Sequence, residues 1–249
     1  MDKIVSKFNG MSEQYSKYRP TYPDASIDYI LKTLKENLES IADIGAWTWK
    51  LSKLFLERWF SVYAIEPNEE MLKQASKELK NIEWFYPILA TAEKTTLLDN
   101  SMNLIVVWQA FHRFDSELFK KEWKRILKKD GRVALLYNNW DKDSELIQKI
   151  DQLSKKYCPL YKWSSWWLAN QESVFEQFFN AYEKVVFPNN YSLTLDNFSW
   201  LNFSASYAPK KWDENYKIYL DELTDLFYKY SDWAMLTMPN NTILRIGNL

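Results

Sequence analysis

Between residue 40 and about residue 139, short apolar runs alternate with stretches whose apolar positions recur every three or four residues. That alternation predicts strands separated by amphipathic helices, and so βαβ units around a parallel sheet. "SIADIGA" reads as the first strand, followed by a helix carrying Leu51, Leu54 and Phe55 that ends near Arg58. "SVYAIE" is the second strand, and Asn68 then caps a helix with Met71, Leu72, Ala75 and Leu79 on one face. A third strand lies within "EWFYPILA" and "NLIVVW" is a fourth. Asp115 or Ser116 caps the next helix, striped by Phe119, Trp123, Ile126 and Leu127, before a fifth strand in "GRVALLYN". Five such strands with right-handed crossovers predict a doubly wound α/β sheet, mostly parallel, with helices on both faces.

After Trp140 the pattern predicts a helix over "SELIQKIDQLSKKY", an aromatic loop "YKWSSWWLAN", and strand-like "EKVVFPNNYSLTL". A helix around "ENYKIYLDELTDLFYKY" and a closing strand "NTILRIG" follow, completing the sheet with an antiparallel C-terminal edge. With no repeat, low-complexity segment or linker, residues 1–249 read as one domain: an N-terminal segment 1–35, a core 36–140, and sheet-completing, substrate-side elements 141–249.

Composition changes this picture little, with one exception. Hydrophobic residues at 47% and charged residues at 26% are those of a globular chain, which excludes extensive disorder. A net charge of -1, with both signs interspersed, gives no footprint for nucleic acid, and "FKKEWKRILKK" reads as a solvated helix face. The single cysteine, Cys158, excludes an internal disulfide and a multi-cysteine metal site, and no metal is expected. Without an apolar leader or an uninterrupted apolar stretch of about 18 residues, no membrane role is expected, and the cytoplasm is the expected compartment. The exception is 4 glycines against 13 tryptophans. Together these equal the roughly 17 glycines that ordinary usage of about 7% predicts.

In doubly wound sheets ligands bind beyond the carboxyl ends of the strands. That rule selects Asp43, Gly45 and Ala46 after strand one, Glu66, Pro67 and Asn68 after strand two, Thr91, Ala92 and Glu93 after the third, and Gln109, Ala110, Phe111 and His112 after the fourth. Glu66, 21 positions beyond Gly45, stands where an acidic side chain accepts from both hydroxyls of a ribose; the alternative is a solvated carboxylate. Met71 packs against an adenine or belongs to the core, and Ala92 with Glu93 approaches the adenine edge. His112, the one histidine, either takes a proton near neutral pH or packs beside the apolar wall of Phe111 and Phe114, the reading that wall favours.

Taken in order, "YSKYRPTYP", "IADIGAWTWK", "YAIEPNEEM", "ATAEKT", "QAFHRF" and "KRILKKDGRVAL" resemble class I S-adenosylmethionine-dependent methyltransferases of the type 11, small-molecule branch, which have a Rossmann-like fold. Weaker echoes follow in "FSASYAP" and "TILRIG". The resemblance implies S-adenosylmethionine as cofactor and a small-molecule acceptor. It places Asp43 and Gly45 beside the methionine part of the cofactor, Glu66 on its ribose, and Ala92 and Glu93 near its adenine. Tyr15, Tyr18 and Arg19 fall in a segment that closes over the cofactor in relatives. Ala46, Trp47, Pro67, Trp108 and Gln109 complete the expected cofactor contacts, and Tyr22, Phe111, His112 and Tyr207 are candidates to line the acceptor pocket.

The chain departs from that family where the ligand needs most room. Relatives carry D-x-G-x-G-x-G where this chain has Asp43, Gly45, Trp47 and Trp49; they usually have glycine at Trp108 and an aromatic at Arg113. Glycine lets the first turn bend sharply and present bare main chain to the ligand. Three accounts are open: a catalytically inactive relative serving as a binding or regulatory protein, a rearranged active pocket, or glycines rendered as tryptophan because UGA encodes glycine. Trp59, Trp140, Trp212 and Trp233 also stand at positions suited to glycine, whereas Trp123 falls on an apolar helix stripe and reads as a true tryptophan. A nicotinamide dehydrogenase fits "IEPNEEM" and "QAFHRF" poorly.

Overall fold

Strand β1 (Ser40–Ile44) is buried at every residue, as a central strand paired on both sides in a parallel sheet is. It pairs in parallel with β2 (Ser61–Glu66) and with β4 (Met102–Trp108). The computed structural model describes residues 21–34, 39–47, 49–161, 172–205 and 207–249. Tyr15, Tyr18 and Arg19 lie outside these, as does most of the predicted aromatic loop. β3 (Phe85–Leu89) extends β2 and carries Pro87, a residue tolerated at a sheet edge because it has no N–H to donate. Beyond β4 come β5 (Leu127–Trp140), β9 (Asn240–Asn248) and β6 (Ala181–Pro188), giving the order β3-β2-β1-β4-β5-β9-β6.

The Asn180 N–H bonds the Asn248 carbonyl at 3.0 Å and the Asn189 N–H bonds that of Asn240 at 2.8 Å. The start of β6 therefore meets the end of β9, and this pair is antiparallel. The closing strand thus lies inside the sheet, between β5 and β6.

Alternate residues of the strands feed two cores. Ile41, Val62, Ala64, Leu104 and Val106 pack with α1 (Asp24–Thr33), α2 (Lys50–Leu56) and α3 (Glu69–Glu78). On the other face Ala42, Ile44, Ile65, Ile105 and Val107 pack with α4 (Ser116–Ile126) and α6 (Glu172–Phe178). Asn68 caps α3 by accepting from the Glu70 and Met71 N–H groups, and Asp115 caps α4 by accepting from those of Glu117 and Leu118, as the sequence predicts. Trp123 has no exposed surface and lies 4.5 Å, ring to ring, from Phe119 and 5.4 Å from Phe178. Burying a large apolar side chain in this way contributes roughly 1.5–3 kcal/mol.

The chain forms two compact units, one made of Met1–Tyr137, Ala169–Phe187 and Thr242–Leu249, the other of Asn138–Leu168 and Pro188–Asn241. The second unit has its own core, in which α5 (Glu145–Tyr157), α7 (Leu195–Phe203) and α8 (Asn215–Tyr230) contribute Ile150, Phe198, Tyr219 and Leu223. There the Tyr157 hydroxyl donates to Glu222 at 3.0 Å, and β7 (Tyr191–Leu193) pairs antiparallel with β8 (Leu236–Met238). Trp140 continues β5 as strand, not turn, and its indole N–H reaches the Tyr191 hydroxyl at 3.2 Å.

Candidate ligand site at the strand ends

The strand order reverses between β1 and β4, so the crevice of the first unit opens beyond their carboxyl ends. Asp43 is the penultimate residue of β1, and only 1% of its surface is exposed. Its Oδ2 accepts from the Ser52 hydroxyl of α2 at 2.5 Å, while Oδ1 is buried without a hydrogen-bond partner. Burial pushes its pKa up to about 7; the bond from Ser52 pulls the other way, and the Glu66 charge adds to the rise.

Gly45 follows at φ 72°, a left-handed conformation, and a Cβ there would stand 2.9 Å from that of Ala110. The loop and the segment after β4 therefore approach closely only because this residue has no side chain. The Gly45 and Ala46 N–H groups both donate to the Ile65 carbonyl, at 2.9 and 3.2 Å, which holds the loop over the end of β2. Glu66 closes that strand, nearly buried. Its Oε2 accepts from the Trp47 N–H at 3.1 Å and its Oε1 from the Asn68 N–H at 2.9 Å. Burial raises its pKa, opposed by those two N–H groups and by the positive charge of Arg113. Two buried carboxylates on adjacent strands thus flank one loop, a costly arrangement that marks a candidate ligand site.

Trp47 itself has φ 29°, and its ring lies 5.4 Å from the Arg113 guanidinium, so indole and guanidinium stack beside Glu66. Trp49 has φ 44° and is buried, with its indole N–H on Glu78 at 2.9 Å. Trp108, at the end of β4, is buried edge-on against Tyr22 at 5.2 Å.

Other expected site residues fall less simply. Ala92 is buried in the core that holds Trp123, and Glu93 accepts from the Asp115 N–H at 3.1 Å, so its carboxylate also serves the start of α4. Met71 is buried at the first turn of α3, whereas Pro67 is exposed. Gln109 follows Trp108 with φ 50° and bonds the Leu136 carbonyl. Phe111, expected to line an acceptor pocket, is instead part of the core: it packs within 5.5 Å of Phe119, Phe175 and Phe178. His112 is exposed, with Tyr137 at 6.5 Å; partial enclosure and the charge of Arg113 lower its pKa, so the ring is neutral at pH 7. Tyr207 belongs to the second unit, edge-on to Tyr161. Sequence reasoning missed Ser52, the partner of Asp43; its place beside Leu51, Phe55 and Leu56 on the apolar side of α2 was the available signal.

Comparison with known proteins relates part of the chain to methyltransferases. Residues 42–135 match the methyltransferase domain model. An uncharacterized methyltransferase of Mycobacterium tuberculosis is 32% identical over 139 residues, 56% of this chain and 55% of the relative. A candidate methyltransferase of Dictyostelium discoideum is 32% identical over 133 residues, 53% of this chain and 49% of the relative. The chain therefore spans about half the length of the curated relatives it matches. A solved structure described as a candidate type II methyltransferase, from Anaeromyxobacter dehalogenans, superimposes with a TM-score of 0.66 at 19% identity, covering 93% of this chain and 98% of its own. That likeness establishes the fold. Among the described residues no His, Cys, Asp and Glu cluster suits a metal ion, and no helix is long and apolar enough to cross a membrane.

Proposed function

From the methyltransferase domain carried by residues 42–135, we propose that this chain transfers a methyl group from S-adenosylmethionine to a small-molecule acceptor. The observation that carries the reading is the pair of buried carboxylates, Asp43 and Glu66, at the ends of neighbouring parallel strands on either side of a left-handed glycine. The buried, unpartnered Oδ1 of Asp43 is an acceptor awaiting a donor, which the methionine part of the cofactor supplies. Each Glu66 oxygen holds one main-chain N–H and retains a lone pair for a ribose hydroxyl. Ala92 and Glu93 stand on the adenine side of the same crevice. S-adenosylmethionine brings the electrophilic methyl, and the protein's task is to orient it in a site poor in water.

His112 is the acceptor-side candidate of the first unit left exposed, and because its pKa is lowered its ring is a weak base, suited to positioning an acceptor more than to taking a proton from it. The single cysteine favours a reducing compartment such as the cytoplasm.

One residue does not fit this ligand. The Trp47 main-chain N–H is on Glu66 and its indole stacks on Arg113, where the loop should offer bare main chain. Calorimetric titration with S-adenosylmethionine, on this chain and on a Trp47→Gly, Trp49→Gly, Trp108→Gly variant, tests the reading. Saturable binding to the glycine variant is expected; no binding to either protein refutes it. A methylation assay over a panel of oxygen, nitrogen, carbon and sulfur nucleophiles then identifies the acceptor.

A further inference from the structure

We infer that residues 47, 49, 59 and 233 are glycine in the protein as its native host makes it. The inference stands on main-chain geometry and does not depend on the methyl-transfer reading.

Three unrelated backbone motifs lead to it. In the first loop, Gly45, Trp47 and Trp49 take φ values of 72°, 29° and 44°, so left-handed residues recur at every second position. Only the first is a glycine. At the end of α2, the Trp59 N–H bonds the Leu56 carbonyl at 3.0 Å and the Phe60 N–H bonds that of Phe55 at 3.2 Å. Those two bonds define a Schellman cap with residue 59 at its left-handed C′ position, where φ is 67° and glycine is the usual occupant. Before β8, Asp232 and Met235 exchange both main-chain hydrogen bonds at 2.9 Å across a two-residue turn. The central residues, Trp233 and Ala234, have φ 47° and 60°, which makes a type I′ turn that selects glycine or asparagine.

Eight described non-glycine residues have a left-handed φ, and four of them are tryptophans. For so bulky a residue this backbone is a true outlier. Side-chain environment agrees with the backbone. Trp59 and Trp233 are 84% and 94% exposed, so neither ring contributes packing that would justify the strained conformation. Trp123 is the control: helical, without exposed surface, and central to an aromatic core. A code in which UGA specifies glycine produces this mixture when the gene is read with UGA as tryptophan, since UGG codons remain true tryptophans. It also accounts for a chain with 4 glycines and 13 tryptophans.

The test is peptide mass spectrometry of the full chain isolated from its native host. The expected result is glycine at 47, 49, 59 and 233 and tryptophan at 123. Tryptophan at any of the four overturns the assignment at that position, and tryptophan at all four overturns the inference. A second measurement compares full-length recombinant proteins by urea unfolding: the chain as written, a W47G/W49G/W59G/W233G variant, and one with alanine at the same four positions. A higher midpoint for the glycine variant than for either other protein is expected. An alanine variant equal to the glycine variant would show that ring removal, not main-chain freedom, is what matters, and would count against the inference.

Discussion

Replacing Asp43 by asparagine should stabilise the protein in proportion to pH. The carboxyl is fully enclosed, and burial lifts its pKa from 3.8 to about 7, against side-chain and main-chain hydrogen bonds from Ser52. The native state therefore holds this proton more tightly than the unfolded chain does. The resulting stability is complete below the unfolded pKa, declines as pH rises toward 7, and is gone above it. At about 1.4 kcal/mol per pKa unit, the shift is equivalent to about 4 kcal/mol lost between acid and pH 8. Asparagine has the same shape and no charge to bury, so the variant escapes that loss. Urea unfolding of both proteins, followed by tryptophan fluorescence at pH 4, 6 and 8, gives the difference directly. The advantage of Asp43→Asn should be small at pH 4 and grow steadily to pH 8. An advantage that is the same at all three pH values would refute the account of Asp43 as a buried acid with a raised pKa.

Binding should show the reverse trend: because the ionised carboxylate is the better acceptor, affinity for S-adenosylmethionine in the Trp47→Gly background should rise as pH passes through about 7, measured by calorimetry. In that same background Glu66→Gln should weaken binding by at least about tenfold, given that hydrogen bonds to charged groups contribute roughly 1.5–3 kcal/mol, while circular dichroism stays unchanged. Trp59→Gly should raise stability by about 1 kcal/mol, since relief of left-handed strain exceeds the entropy cost of glycine; Trp59→Ala, which keeps the Cβ, should fall short of it in the same urea titration. Asp115→Ala should cost about 1 kcal/mol by losing the cap of α4, read from the unfolding midpoint.

The elements were legible where a local pattern fixes them. The Asn68 and Asp115 caps, the stripe Phe119, Trp123 and Ile126, and the buried run of β1 each carry a signal within a few residues. The position of β9 between β5 and β6 was not legible, because strand order is decided by pairings more than fifty residues apart in sequence. Nor was the division into two units, since no linker composition marks Tyr137, Phe187 or Asn241. At the site, the proposed roles of Asp43 and Glu66 rest on position at strand ends, which sequence conveys. Phe111 shows the limit of that rule: its place just past a strand suggested a lining residue, yet its ring turns into the aromatic core. The carboxylate of Glu93 likewise reaches the first turn of α4, a contact that no spacing announces.

Because β9 lies inside the sheet, the order of synthesis matters to how this protein matures. While residues 240–248 are still within the ribosome, β5 and β6 each present an open edge to which any passing strand can hydrogen-bond. The nascent chain thus passes through a sticky stage that ends only when β9 slots home, which makes truncation before residue 240 a route to aggregates.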